Sequence, residues 1–439
     1  MTRIDANNVK SSIGNHMLAD GMDPIIDLEK SHGSWIVDAR NSREYLDLFS
    51  MFASLSIGYN HPYVLKNKER LTVAAINKPT NSDVYSTQMA EFVESMGTKA
   101  QPEYLPYSFF IEGGTLAVEN ALKASFDWKT RKNQSHGKST EASKIIHFKE
   151  CFHGRSGYTL SLTDSQDKRK TDFFPKFEWP RITNPKLRFP LNGANLAAVS
   201  ALEDQAVDEI KKAISGYVDE IAAIIIEPIQ GEGGDNHFRV EFFIKLREIA
   251  NENDIILIYD EVQTGIGITG KMWAHQHFGE NARPDIISFG KKTQVCGIFA
   301  GNRFDEIEDS VFHQPSRLNS TWGGNLTDMV RFNLYLDVIE NDQLVQNAAD
   351  RGKSLLEGLI ILQNKHGEII SNSRGRGLFC AFDLPTSKDQ NKLLGLIREE
   401  GALMLGCGER TIRFRPHLNL SLDDLNTGLG IIDRAISRM

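Results

Sequence analysis

A mostly parallel α/β sheet with helices packed against it is the fold this sequence predicts, and three observations predict it. The first is a set of apolar runs, "EIAAIIIEPI" (220–229), "IILIYDE" (255–261) and "DIISFG" (285–290). Each is short enough for a strand and apolar at nearly every position, as strands covered on both faces are. The second is the segment between the first two runs, "VEFFIKLREIANEND" (240–254), which places Phe243, Leu246 and Ala250 on one helical face with Phe242 and Ile249 beside them. Strand, amphipathic helix and strand in succession make βαβ units. The third is that ionisable residues close the three runs: Glu227, Asp260 and, after Gly290, Lys291.

The two ends of the chain follow a different pattern. "GSWIVDARNSREYLDLFS" (33–50) gives short alternating strands and a turn, and "TDMVRFNLYLDVIE" (327–340) opens a helix-rich C-terminal part. "RGLFCAFDLP" and "TIRFRPHLNL" read as strands, and "DLNTGLGIIDRAISRM" as a helix with Leu425, Leu429, Ile432 and Ile436 on one side. The expected organisation is a large α/β domain over 60–320, flanked by a smaller α+β domain built from both termini, 1–59 and 321–439.

Composition narrows the function. A formal charge of −8 disfavours nucleic acid or an anionic membrane as partner, since both select a basic face. The basic stretch "KTRKNQSHGK" (129–138) has no interleaved aromatics and is expected to be a solvated surface loop. The first 23 residues hold no apolar core, and no apolar run reaches the roughly 20 residues that span a bilayer, so a cytoplasmic protein is expected. Cys151, Cys296, Cys380 and Cys407 are far apart in sequence, which suits reduced thiols better than a disulfide framework or a zinc site. His275 and His277 have no matching ligand at metal-binding spacing, so no metal is expected.

In an open parallel sheet, ligands bind beyond the carboxyl ends of the strands. Two acids and a base at three such ends therefore suggest a catalytic site. "SFFIEGGTLAVENALKASFDW" (108–128) reads as a strand, a glycine pair and a helix that Thr115 could cap. Free amides at such a helix start suit a phosphate. Taken singly, these features also fit a plain ion pair and a plain strand-to-helix turn. "GKKT" lacks the upstream glycine of a nucleotide P-loop, and "GIGITG" (265–270) is separated from its strand by "EVQT", unlike a dinucleotide site. A lysine, an aspartate and a phosphate cradle together suit pyridoxal 5′-phosphate, whose aldehyde condenses with a lysine amine and whose ring nitrogen stays protonated beside a carboxylate.

From "YLDLFSMFASLSIGYNHP" (45–62) through "EGGTLAVENALK", "FHGRSGYTLSLTD", "EPIQGEGGD", "IYDEVQTGIGITG" and "DIISFGKK" to "IRFRPHL", the chain resembles the class III, ω-amino-acid type of pyridoxal-phosphate aminotransferase. The resemblance implies the aspartate-aminotransferase-like fold (fold type I) and a homodimer with active sites at the interface. It implies that Lys291, not Lys292, bonds the cofactor, that Asp260 holds the ring nitrogen, that Gln263 lies near the ring hydroxyl and that Phe152 lies on the ring face. Gly114 and Thr115 would cradle the phosphate, joined by Thr321 of the partner subunit. Arg413 would grip the α-carboxylate of glutamate or 2-oxoglutarate, Arg155 would hold the α-carboxylate of the amino donor, and Glu232 would pair with Arg413 while that donor is bound.

Gly-Gly-Thr-Leu at 113–116, "KKTQVCGIFAG" and "FEWPRITNP" (177–185) depart from the common pattern of the family and look like its lysine 6-aminotransferase branch. That branch moves the ε-amino group of L-lysine to 2-oxoglutarate, giving glutamate and 2-aminoadipate 6-semialdehyde. An ornithine or 4-aminobutyrate donor is the nearest alternative, and a non-catalytic cofactor-binding regulator on the same fold is a more distant one.

Overall fold

The computed structural model describes residues 4–439, so the first three residues of the polar N-terminal stretch lie outside it. Fourteen strands form three sheets among these residues. In chain order the strands begin with β1 (Trp35–Val37), β2 (Glu44–Asp47), β3 (Tyr107–Ile111), β4 (Lys144–Phe148) and β5 (Arg181–Ile182). The apolar runs follow as β6 (Ile221–Ile226), β7 (Ile256–Asp260) and β8 (Ile286–Phe289), then β9 (Cys296–Ala300). The C-terminal part adds β10 (Ser371–Arg376), β11 (Phe379–Asp383), β12 (Ala402–Leu403), β13 (Leu405–Cys407) and β14 (Thr411–Phe414).

The main sheet runs β3-β9-β8-β7-β6-β4-β5. From β8 to β5 every pairing is parallel, and only β9 runs against its neighbours. All six residues of β6 are buried, because helices cover both faces of the sheet. One of these is Val240–Glu252, which buries Phe242, Phe243, Leu246, Ile249 and Ala250, the face that the sequence spacing indicates. β6, β7 and β8 are adjacent, so Glu227, Asp260 and Lys291 emerge from one end of the sheet.

Two smaller sheets use the terminal segments. β12 lies parallel to β2, which stitches residues 402–403 to 46–47, and β10-β11-β14-β13 is antiparallel. β14 carries Arg413, and Arg415 follows directly.

The helix Gly114–Ser135 corrects two expectations. It takes in most of the basic stretch 129–138, so that segment is helical rather than a loop, and only its second half, residues 134–138, is exposed as expected. Its periodicity continues past Ala124 to bury Trp128 and Asn133, and Lys129 is only 4% exposed, its Nζ donating to the Asn253 carbonyl at 3.2 Å. Long lysine stems cover apolar surface while their ends find acceptors, as Lys132 does at Glu306 and Lys138 at Asp219. Thr115 does not cap the helix either, because the N-cap is Gly113 and no side chain bonds the first turn.

No helix among the described residues is long and apolar enough to cross a membrane. The four cysteines are free and buried. At the start of β8, Asp285 accepts from Leu257 N at 2.8 Å and pairs with Arg247 at 2.9 Å and Arg303 at 3.2 Å, so one buried carboxylate bridges two largely buried guanidiniums. Asp285→Ala strands the Arg247 charge, while Arg303 keeps Asp254 and Glu306 nearby, and we expect a loss of about 3–5 kcal/mol, read from the urea midpoint at unchanged slope.

Candidate active site

At the carboxyl ends of β6 to β8 lies a cavity of about 210 Å³, lined by Gly114, Thr115, Phe152, His153, Gly154, Glu227, Asp260, Val262, Gln263 and Lys291. Six of the ten site residues indicated by the sequence therefore meet at one place.

Lys291 follows Gly290 with a left-handed backbone (φ 54°), and Ser56 and Gln294 fix the loop, bonding the Lys292 carbonyl and the Ser54 carbonyl. The segment supplying Ser54 and Ser56 begins with four consecutive non-glycine residues of positive φ, Ser50–Ala53, a costly conformation held by its surroundings. The Lys291 amine makes no hydrogen bond to the described residues. Burial, reinforced by the positive charges of Arg413 and Arg415, lowers its pKa to about 7, against the pull of Glu227 and Asp260.

Asp260 ends β7 and its carboxylate accepts three hydrogen bonds, from His153 Nδ1 at 2.7 Å, Val262 N at 3.0 Å and Ser288 Oγ at 3.2 Å. Burial opposes protonation of His153, but Cys151 and Asp260 favour it, and the ring stays protonated well above the usual histidine range. Glu227 spreads its two oxygens over the amides of Phe152, at 2.9 Å, and Gly231, at 3.0 Å. Burial raises its pKa to about 7, with His153 opposing and Asp260 adding to the rise. By holding Phe152 N, Glu227 fixes the aromatic side chain at the cavity wall.

The start of the helix Gly114–Ser135 faces this cavity with Gly113 at φ 96°, a conformation that glycine adopts at little cost. Uncapped amides and the positive end of the helix dipole suit a phosphate.

The two arginines of "IRFRP" are both buried but differ in charge balance. Arg415 pairs with both oxygens of Asp235, at 2.5 and 2.8 Å. Among the described residues Arg413 has no ion pair, its buried Nε is unpartnered, and its only side-chain hydrogen bond is Nη1 to Gln263 Oε1 at 3.5 Å. A buried guanidinium beside the lysine with no carboxylate of its own is a receptor for one.

The remaining site residues lie elsewhere. Glu232 is not paired with Arg413 but accepts from Lys170 Nζ at 2.5 Å and Ser165 Oγ at 2.9 Å. Arg155 is exposed, and Thr321 is exposed and does not line this cavity. Sequence reasoning passed over His153, Ser288, Arg415 and Asp235. His153 stood inside "FHGR", Ser288 sits opposite Asp260 in register, and the two-residue spacing in "IRFRP" puts both arginines on one side of a strand.

A lysine amine near neutrality, a triply bonded aspartate at the next strand end, an uncapped helix start and an unpaired arginine fit pyridoxal phosphate and an anionic substrate, and they define a lysine-dependent transferase of the aspartate-aminotransferase fold type. The model of the family "Aminotransferase class-III" matches residues 17–436, and this chain belongs to that family, whose members use pyridoxal phosphate. It is 47% identical over 434 residues to an L-lysine-epsilon aminotransferase of Mycobacterium tuberculosis, covering 98% of this chain and 95% of that one. It is 35% identical over 410 residues to the mitochondrial 4-aminobutyrate aminotransferase of Homo sapiens, covering 89% and 80%. The solved structure of lysine aminotransferase from M. tuberculosis in the internal aldimine form superposes with a TM-score of 0.96 at 47% identity, covering 99% of this chain and 100% of that one.

The lowered pKa of Lys291 has a direct readout in cofactor-free protein. Its neutral, nucleophilic form predominates above about pH 7. Competitive acetylation followed by peptide mass analysis should therefore give a midpoint near 7 at Lys291, against roughly 10.4 for an ordinary exposed lysine.

Proposed function

We propose that the protein transfers the ε-amino group of L-lysine to 2-oxoglutarate, giving 2-aminoadipate 6-semialdehyde and glutamate. The observation that carries the lysine reading is the near-full-length likeness to a protein named L-lysine-epsilon aminotransferase, at 47% identity against 35% for the 4-aminobutyrate enzyme. Bound pyridoxal phosphate supplies an aldehyde that takes the amino group and a protonated ring that draws off electrons.

The chain's own residues do the rest. Lys291 holds the cofactor and, with a pKa near 7, both takes and gives a proton at neutral pH. Asp260 keeps the ring nitrogen protonated, Phe152 covers the ring face and Gln263 stands beside the ring hydroxyl. Gly114 and Thr115 hold the phosphate through the helix amides, with Thr321 of the partner subunit as a further donor. Arg413 grips the carboxylate of 2-oxoglutarate or glutamate, and Arg155 grips the α-carboxylate of lysine. Glu232 leaves Lys170 and Ser165 to neutralise Arg413 while lysine is bound.

In this reading the working unit is a homodimer in the cytoplasm. Two observations support the dimer. Thr321 is absent from its own chain's cavity, and the loop bearing it is tied to residues 81–82 (Asn81 N to Trp322 O, 3.1 Å; Ser82 Oγ to Thr321 O, 3.3 Å). Val84, Tyr85 and Trp322 remain exposed close by in sequence, apolar surface for a second copy to cover. Residues 60–320 form the cofactor-binding unit, and the terminal segments 1–59 and 321–439 bring in Arg413.

Purified enzyme given 2-oxoglutarate with lysine, ornithine or 4-aminobutyrate should form glutamate with the highest kcat/KM from lysine. A missing methylene should cost about tenfold or more. Faster turnover of ornithine or 4-aminobutyrate would move the assignment to that donor. Lys291→Ala should abolish turnover. Arg413→Ala should slow the 2-oxoglutarate half-reaction by about a hundredfold, and the lysine half-reaction much less, in single-turnover kinetics.

A further inference from the structure

The second lysine of "GKK" has no part in the roles above, yet it is only 1% exposed. Burial, with the charges of Arg415 and Lys291, drives its pKa well below the usual lysine value. Its Nζ donates to the main-chain carbonyl of Gln263 at 2.9 Å.

The side chain of the same glutamine is held from the other direction. Arg415 Nε and Nη2 donate to Gln263 Oε1 at 2.9 and 2.7 Å. Arg415 is immobilised by Asp235, by the Phe414 carbonyl at 2.7 Å and by the Phe379 ring, whose centroid lies 3.2 Å from the guanidinium carbon. A guanidinium only donates, so the amide oxygen must face it and the amide nitrogen, with its two hydrogens, must face away. The backbone of Gly231 presses on this amide so closely that a Cβ there would sit 2.2 Å from Oε1 and 2.7 Å from Nε2. Nε2 donates to no described residue, and Gln263 lines the cavity.

We propose that Lys292 and Arg415 are positioning residues that grip Gln263 by its main-chain and side-chain oxygens and so fix its amide nitrogen as a donor to an oxygen of the bound pyridoxal ring. This rests on the placement of that ring beside Gln263. The ring oxygen is more negative in the deprotonated chromophore, so a fixed donor there lowers the pH at which the chromophore loses its proton.

The test is a pair of double-mutant cycles on purified holoenzyme, reading the pH midpoint of the cofactor's visible absorbance and the Kd of pyridoxal phosphate. Gln263→Leu removes the donor. Arg415→Lys keeps the charge opposite Asp235 but loses the fork, and Lys292→Met exchanges the buried amine for a similar volume without a donor. Gln263→Leu should raise the midpoint by about 0.5 to 1 pH unit and weaken cofactor binding about three- to tenfold. Each positioning variant should move both quantities in the same direction, and each double variant should move no further than Gln263→Leu alone. Shifts that add in the doubles, or positioning variants that leave both quantities unmoved, overturn the proposal. An unmoved Gln263→Leu overturns the ring placement itself, and the proposal with it. If Arg415→Lys does not fold, the Lys292→Met cycle decides by the same criteria.

Discussion

The site depends on one desolvated amine. Lys291 stands at the end of a strand buried on both faces, where a full ammonium charge would cost several kcal/mol without compensation. The structure does not offer it a tight ion pair. Burial and two nearby guanidiniums push its proton off, while Glu227 and Asp260 pull more weakly the other way. The same arrangement makes the interior of the site electropositive in a chain whose formal charge is −8. An electropositive cavity favours a phosphate and a carboxylate over the cations that the rest of the surface attracts.

That field is apportioned by strand geometry. β14 pairs antiparallel with β11 and β13, which turns Arg413 inward, and Arg415 projects the same way two residues on. Asp235 gives both its carboxylate oxygens to Arg415 as its one ion pair among the described residues. The two arginines thereby acquire different work: Arg415 becomes part of the scaffold, and Arg413 keeps its charge for something the chain does not provide. An unpaired buried guanidinium is a standing cost, tolerated where a ligand will meet it.

Much of this was legible in the sequence because burial on both faces leaves little freedom. The isoleucine runs could only be interior strands, and parallel order forces their polar ends together. Phe152, Gln263, Thr115 and Lys291 were reachable through motifs whose spacing survives folding. The basic segment 129–138 was misread because charge count ignores that a lysine stem can lie along a core while its amine finds a carbonyl, as Lys129 does. His153 was passed over because nothing in "FHGR" says that a chain reversal brings its ring to Asp260, 107 residues away. The capping role imagined for Thr115 failed because the tight turn needs glycine at Gly113, and leaving the first amides bare is what a phosphate requires.

The placement of Glu232 bears on how one site could serve two substrates under the proposed reaction. A permanently paired Arg413 would bind 2-oxoglutarate poorly, and a permanently bare one would repel the ε-ammonium of incoming lysine. An acid able to leave is needed, and it must be stable when it leaves, since a stranded carboxylate near the interior would be costly. Glu232 meets that condition here: Lys170 and Ser165 bind it on the outer side, in a partly exposed ion pair of modest strength. A strong buried pair at either position would hold the acid fast, whereas a weak outer partner lets the substrate's own charge decide which way it turns.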